Sequence, residues 1–426
     1  MSSVPTIFVS AGEASGEHYG ALLIAELRRS LASSSRRAHF FGMGGSRMAE
    51  AGLDAVVRAE EMAVMGFTEV VSHLPRIYAE FRKLKLAIRR RRPALAVLID
   101  FPEIHFRLAK EFHRLRIPVI YFVSPQLWAW KQHRIRLVKK YVRRMVVIFP
   151  FEERFYRERG VQAEFVGHPL AALPLPAVSR AEFAAENKLD PAKIWIGLLP
   201  GSRPKEIAAH LREMIEAART MTAPAPGAAY LPGKYEPEKY EPGKYEFIVP
   251  LAPILSAGQR QDVLRQVDNQ AGGLAIRLSA DARATLLHAR ASVVASGTAT
   301  VEAALIGNPF IVVYRVSPAT YALARRLVKV PHVAMANLIA GKRVVPELIQ
   351  NDFTAANIVQ QIEPLLPDGY PRQSMMEELA AVRDALSKRP SKSDNDNRGT
   401  MGRVAAIVLE ELEEAAPVEG LAVHPL

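Results

Sequence analysis

The chain has 426 residues, of which 49% are hydrophobic, and reads as a soluble protein of two or three globular units. The absence of cysteine excludes disulfides, thiolate catalysis and cysteine–zinc sites, and agrees with a reducing compartment. A net charge of +12 asks for an anionic partner, a demand that nucleic acid, anionic lipid and phosphorylated small molecules all meet.

In chain order, Thr6–Ser10, Ala38–Phe41, Ala94–Ile99, Val119–Phe122, Met145–Phe149 and Glu164–Val166 have the apolar runs of buried strands, with helical patterns between most of them. A stretch rich in Pro, Ala and Leu follows at Pro169–Arg180, and the pattern then restarts with Lys193–Leu199, Phe247–Leu251, Ala275–Leu278, Ser292–Ala295 and Phe310–Tyr314. The alternation predicts an α/β protein of two doubly wound, Rossmann-like domains with parallel sheets. The expected boundaries are 1–170 for the first domain, 171–192 for a linker, 193–350 for the second domain, 351–414 for C-terminal helices and 415–426 for a tail. Within the second domain, residues 222–246 carry a recurring Lys-Tyr-Glu among Pro and Gly, and read as a low-complexity insertion in a surface loop. No apolar run is long enough to span a bilayer, and Met1–Ser10 lacks the order of a secretion signal, so a cytoplasmic location is expected.

Three loops sit where such sheets bind ligands. Ser10-Ala-Gly-Glu-Ala-Ser-Gly-Glu17 follows the first strand, and its small residues suit either a ligand at a helix N-terminus or a plain tight turn; Glu13 and Glu17 argue against a phosphate there. Leu199-Pro-Gly-Ser-Arg203 and Ser296-Gly-Thr-Ala-Thr-Val-Glu302 each follow a strand and lead into a helix. Their backbone N–H groups, with the cation Arg203, suit a diphosphate, and Glu302 suits a ribose hydroxyl pair; helix capping is the structural alternative. The pair Asp394-Asn-Asp396 lies in a polar stretch and reads as solvated linker, so no metal site is expected. Asp100, at the end of the apolar run Ala94–Ile99 and two residues before Pro102, is either a turn cap or a proton acceptor. Val64-Met-Gly-Phe-Thr-Glu-Val-Val71 continues through Leu74, Ile77 and Phe81 into the cations of Lys83–Arg92. That spacing fits a helix lying on an anionic bilayer or an ordinary amphipathic helix packed on its own core. The run Lys131–Arg144 is basic and acid-free, and Trp128 and Trp130 precede its cations rather than interleave with them, which disfavours nucleic acid.

The loops at 10–17, 199–203 and 296–300, together with Phe41-Gly-Met-Gly-Gly45, Ser124-Pro-Gln-Leu-Trp-Ala-Trp130, Val166-Gly-His-Pro-Leu170 and Asn337-Leu-Ile-Ala-Gly341, resemble the motifs of lipid-A-disaccharide synthases, in the same order and over most of Val4–Glu414. The resemblance implies a GT-B glycosyltransferase, with two domains facing a cleft and C-terminal helices possibly exchanged in a homodimer. It implies that UDP-2,3-diacylglucosamine donates its sugar, with inversion and without metal or cofactor, to 2,3-diacylglucosamine 1-phosphate in lipid A biosynthesis, giving the disaccharide 1-phosphate and UDP.

Under that resemblance Asp100 is the catalytic base. Gly201, Ser202, Arg203, Ser296, Gly297 and Thr298 hold the diphosphate, Glu302 holds the ribose, and Glu13, Ser15 and Gly16 position a sugar. Acylated substrates turn the reading of the apolar run toward a membrane patch of Met65, Phe67, Val70, Val71 and Leu74, on a protein peripheral to the inner face of the inner membrane and needing no nucleic acid. Family members usually read Asp-x-Pro-Asp-Phe-Asn where this chain has Asp100-Phe-Pro-Glu-Ile-His105, which leaves the roles of Glu103, Ile104 and His105 open. The alternatives are a UDP-sugar epimerase of similar architecture, or a non-catalytic basic protein that binds membrane or nucleic acid.

Overall fold

The computed structural model describes residues 4–59, 67–222, 243–253, 255–328, 330–387 and 398–415. The chain forms two compact units, Met1–Ala172 with Leu386–Leu426, and Leu173–Ala385.

The first unit is built on a seven-stranded parallel sheet of β1 (Thr6–Ala11), β2 (His39–Gly44), β3 (Leu53–Arg58), β4 (Leu95–Ile99), β5 (Val119–Phe122), β6 (Arg144–Val147) and β7 (Ala163–Phe165). Its spatial order is β3-β2-β1-β4-β5-β6-β7, with Ala11 in register with Ile99. Every residue of Leu95–Ile99 is 0% exposed, as continuous apolar sequence requires of a strand covered on both faces. Phe8 meets Phe41 and Phe112 with ring centroids 5.3 and 5.0 Å away, and burying each such ring contributes roughly 1.5–3 kcal/mol. The final helix, Thr400–Ala415, packs against the helix Ala14–Ser33 of this unit. The sequence segment 351–414 is therefore divided, because the helix Ala355–Ile362 packs on Pro204–Thr222 in the second unit.

The second unit holds a six-stranded parallel sheet of β8 (Ile194–Leu199), β9 (Tyr245–Pro250), β10 (Ile276–Ser279), β11 (Ala291–Ala295), β12 (Phe310–Tyr314) and β13 (Glu347–Ile349), ordered β10-β9-β8-β11-β12-β13. Here the insertion is shorter than its composition suggests. β9 begins at Tyr245, and Glu246 is only 3% exposed because it accepts the Asp190 N–H at 2.7 Å; the last Lys-Tyr-Glu copy thus enters the sheet. Residues 223–242 of that insertion, and Asp394 and Asp396, lie outside the described residues.

In each unit the strand order reverses once, between β1 and β4 and between β8 and β11. Connections leave such a pair toward opposite sides and open a crevice at the carboxyl ends of the strands. Asp100 and the 10–17 loop stand at the first switch point, and the 199–203 and 296–302 loops at the second.

Candidate active site

At the first switch point the chain turns from β4 into the helix Pro102–Arg114 through two non-glycine residues in the left-handed region, Asp100 at φ 52° and Phe101 at φ 50°. Aspartate tolerates this conformation and phenylalanine does not, so the turn costs of order 1–3 kcal/mol unless its surroundings fix it. They do so from several sides. Asp100 donates its N–H to the Phe122 carbonyl at 3.0 Å, and its own carbonyl accepts from Tyr121 Oη and from His105 Nδ1, each at 2.6 Å. Because that carbonyl can only accept, His105 carries its proton on Nδ1, and its Nε2 accepts from Ser10 Oγ at 2.9 Å. Burial lowers the imidazole pKa to about 4, so His105 stays neutral near pH 7 and acts as a strut. Glycine at position 12 is required by close approach, since a Cβ there would come within 2.3 Å of the Phe101 ring.

This framework aims a half-buried carboxylate. Burial, then the nearby charge of Glu13, raises the Asp100 pKa to about 7; the Phe101 N–H opposes the shift and Glu103 adds to it. Glu13 is exposed, Ser15 is half-buried and Gly16 is buried against the Ile99 carbonyl. Glu17 has a different task, accepting the Arg47 N–H at 3.0 Å and tying the 10–17 loop to the glycine turn after β2. Glu103 points to the basic segment, with Arg134 at 3.2 Å and Lys131 at 3.6 Å.

At the second switch point Gly201 has φ 122°, and any Cβ there would lie 2.6 Å from Glu206. The Glu206 carboxylate accepts the N–H groups of Ser202 at 3.1 Å and Arg203 at 3.3 Å, and the Arg203 guanidinium at 3.3 Å. An internal anion thus meets the donors that the sequence assigns to a diphosphate. The Arg203 side chain is 62% exposed and retains reach. Beneath the loop, fully buried His210 donates from Nδ1 to the Pro200 carbonyl at 2.7 Å and accepts the Arg315 N–H at 3.0 Å, joining the ends of β8 and β12.

On the neighbouring strand one assignment needs correction. The Ser296 N–H is bound to the Val313 carbonyl at 3.0 Å and belongs to the sheet, so of the three residues assigned there Gly297 and Thr298 keep N–H groups at the start of the helix Thr298–Ile306. Glu302, half-buried one turn into that helix, has its pKa raised by burial, countered by Arg283 and reinforced by Asp281.

Comparison with known proteins shows the family. The model of the family described as Lipid-A-disaccharide synthetase matches residues 7–398. A lipid-A-disaccharide synthase of Acidobacterium capsulatum is 56% identical over 425 residues, covering 98% of each chain. One of Koribacter versatilis is 47% identical over 403 residues, covering 95% of this chain and 97% of the relative.

The chain belongs to the lipid-A-disaccharide synthase family.

It is therefore a glycosyltransferase of lipid A biosynthesis, acting on a UDP-sugar and an acceptor. Among solved structures, a calicheamicin glycosyltransferase aligns with a TM-score of 0.55 at 17% identity, covering 97% of this chain and all of that one. A putative UDP-N-acetylglucosamine 2-epimerase from Listeria monocytogenes aligns with a TM-score of 0.57 at 14% identity, covering 99% of this chain and 100% of that one. These neighbours establish the GT-B fold of the synthase family, and the epimerase alternative is not favoured by the close relatives.

Other expectations for a lipid-A-disaccharide synthase meet the structure unevenly. Met65 lies outside the described residues, and although Phe67, Val70, Val71 and Leu74 begin the helix Phe67–Arg91, their side chains lie outside them too. Farther along that helix Ile77 and Phe81 pack on the core, and Leu84 and Ile88 are fully buried, so this part of the apolar run covers the sheet. Many cations of the basic runs face the chain's own acids. Buried Glu111 is met by Arg89 at 2.8 Å and Lys85 at 3.4 Å, and buried Glu411 of the last helix is met by Arg143 and by Arg144 at 2.8 Å. Sequence reasoning left the role of His105 open and missed the struts Tyr121 and His210 and the internal anion Glu206. For Glu206 a signal existed, since a glutamate two residues after Pro204 stands at the third position of a helix that begins there, from which it reaches back to the N–H before the helix.

Proposed function

We propose that Asp100 removes the proton from the 6-hydroxyl of 2,3-diacylglucosamine 1-phosphate as that oxygen attacks the anomeric carbon of UDP-2,3-diacylglucosamine. The bond from that carbon to the diphosphate oxygen breaks on the opposite face, giving the β-1,6-linked disaccharide 1-phosphate and UDP. Arg203 and the N–H groups of Gly201, Ser202, Gly297 and Thr298 take up the charge of the departing diphosphate, so that no metal takes part. Glu302 holds the uridine ribose, and Glu13, Ser15 and Gly16 position the acceptor sugar. Both substrates are acylated, so the enzyme works as a peripheral protein on the inner face of the inner membrane, with Met65, Phe67, Val70, Val71 and Leu74 toward the lipid.

One observation carries the reading: a half-buried carboxylate at a strand end, held in a left-handed turn and tuned to a pKa of about 7, where a general base is most effective near neutral pH. The test is mass spectrometry of the products formed from the two purified lipids by the wild type and by Asp100→Asn. Asparagine keeps the side-chain shape and tolerates the positive φ. The wild type is expected to give disaccharide 1-phosphate and UDP, and the variant almost none; an epimerised UDP-sugar, or wild-type turnover by the variant, refutes the proposal.

A further inference from the structure

The helix Pro318–Leu327, in the second unit, contains no buried residue. Its start is capped by Ser317, whose hydroxyl accepts the Thr320 N–H at 3.2 Å, but a helix this short is marginal in water without a packed face. Leu323 and Leu327, one turn apart, are 60% and 49% exposed; Val328 and Val333 just beyond are each 39% exposed. Scattered exposed apolar residues are normal on any protein, whereas a cluster on one short helix and its C-terminal extension marks a surface made to be covered. Residues 316–346 contain no Asp or Glu, and the acid that follows, Glu347, is engaged by the N–H groups of Val333 and Ala334 and by Asn337. Arg325 and Arg326 lie in the same helix as the leucines, and among the described residues neither makes an ion pair.

We infer that the helix Pro318–Leu327 is a second lipid-contacting element, which seats Leu323, Leu327 and Val328 in an anionic membrane surface with Arg325 and Arg326 at the headgroups. Apolar side chains interleaved with cations match an interface that is hydrocarbon below and anionic above. A nucleic acid or a soluble phosphate leaves the leucines unburied, and a second copy of the helix brings like charges together. The inference rests on the proposed membrane-bound reaction but uses a different surface from the patch at 65–74.

The test is flotation of the full-length protein with vesicles of phosphatidylglycerol and phosphatidylcholine, and with phosphatidylcholine alone. Leu323→Ser/Leu327→Ser is expected to lower partitioning onto the anionic vesicles by about tenfold or more with an unchanged melting temperature, because neither side chain is buried. Arg325→Glu/Arg326→Glu is expected to abolish the preference for phosphatidylglycerol. The reference variant Met65→Ser/Phe67→Ser/Val70→Ser separates the two surfaces. If it floats like the wild type while the leucine variant does not, the patch at 65–74 fails and this inference stands. Undiminished flotation of the leucine variant, or no flotation of the wild type on anionic vesicles, overturns the inference. Loss of a wild-type dimer in that variant, seen by sedimentation velocity without change in flotation, overturns it in favour of a contact between copies.

Discussion

At the first unit's switch point a single acid is fixed from several sides, whereas at the second the donors are exposed and are met by a carboxylate of their own helix. Asp100 sits in a left-handed turn with its carbonyl held by His105 and Tyr121. Arg203 is solvent-exposed, and the N–H groups beside it rest on Glu206. Strain and desolvation are what a reacting group needs, because both hold it where water would relax it. A group that grips a ligand and releases it is better left solvated with a weak internal substitute. Under the proposed mechanism the first unit does the chemistry and the second the binding, and each prediction below attacks one side of that contrast.

The largest effect belongs to the base. Asp100→Asn is expected to lower kcat by about 10²–10⁴-fold while leaving UDP affinity unchanged, measured by product formation and by calorimetric titration of UDP. With a folded pKa near 7, the wild-type rate should rise with pH through that value and level off above it. The same shift has an opposite consequence for stability. Between 3.8 and about 7 the folded state holds a proton that the unfolded state has lost, so this group's contribution to stability falls as pH rises through that window. Asp100→Asn should therefore melt higher than the wild type above pH 7, an active-site trade of stability for function. A variant both inactive and less stable would mean that Asp100 is chiefly a structural cap.

Next comes the grip. Arg203→Ala removes the charge-assisted bonds expected with a diphosphate, each of about 1.5–3 kcal/mol, so UDP should bind about 10–100-fold more weakly at low salt. Melting should hardly change, because the side chain is exposed and its contact with Glu206 is a surface pair. If the affinity for UDP is unaltered, the diphosphate is held elsewhere and the comparison loses its second half.

How much of this was legible in the sequence depended on whether the causes were local. The central strands are continuous runs of Val, Ile and Leu and announce themselves, while β3, with Asp54 and Arg58 in an edge strand, and the three-residue β13 do not. Alternation and the order of the strands were enough to put Asp100 and the 199–203 and 296–302 loops at strand ends. The clamp on Asp100 was not readable, because Ser10 and His105 are 95 residues apart and meet only when β1 and β4 pair. The Ser296 N–H could be assigned to a ligand from sequence only because its partner, Val313, lies on a neighbouring strand. The helical spacing of Ile77 and Phe81 likewise predicts an apolar face without saying whether lipid or protein covers it.

The strut gives a smaller effect, and a stability effect before a catalytic one. His105→Ala leaves the Ser10 hydroxyl without its acceptor and removes one donor from the Asp100 carbonyl, at a cost of about 1–3 kcal/mol in a denaturant titration. Activity should fall with it if the turn loosens, and His105→Asn, whose amide keeps a hydrogen-bonding group of similar reach, should recover part of both. In the wild type His105 is held below its ordinary 6.5, at about 4, so the unfolded state takes up a proton first as pH drops. The stability from this residue is present above pH 6.5 and is lost progressively toward pH 4. A stability profile of His105→Asn with an undiminished loss in that window would assign it to other groups, of which buried His168, at about 3, is the first to examine.

The smallest effect is the most informative about the second switch point. If Glu206 is a stand-in for the ligand, Glu206→Gln should keep the cap on Ser202 and Arg203 through its amide oxygen while removing a charge that opposes an incoming diphosphate. UDP should then bind about two- to fivefold more tightly at low ionic strength, the gain shrinking as salt screens the removed charge. Uridine, which has no phosphate, should bind both forms equally. Weaker UDP binding by the glutamine variant would mean that the carboxylate orients Arg203 for the ligand rather than substituting for it. The exposed loop would then be as preorganised as the buried turn at Asp100.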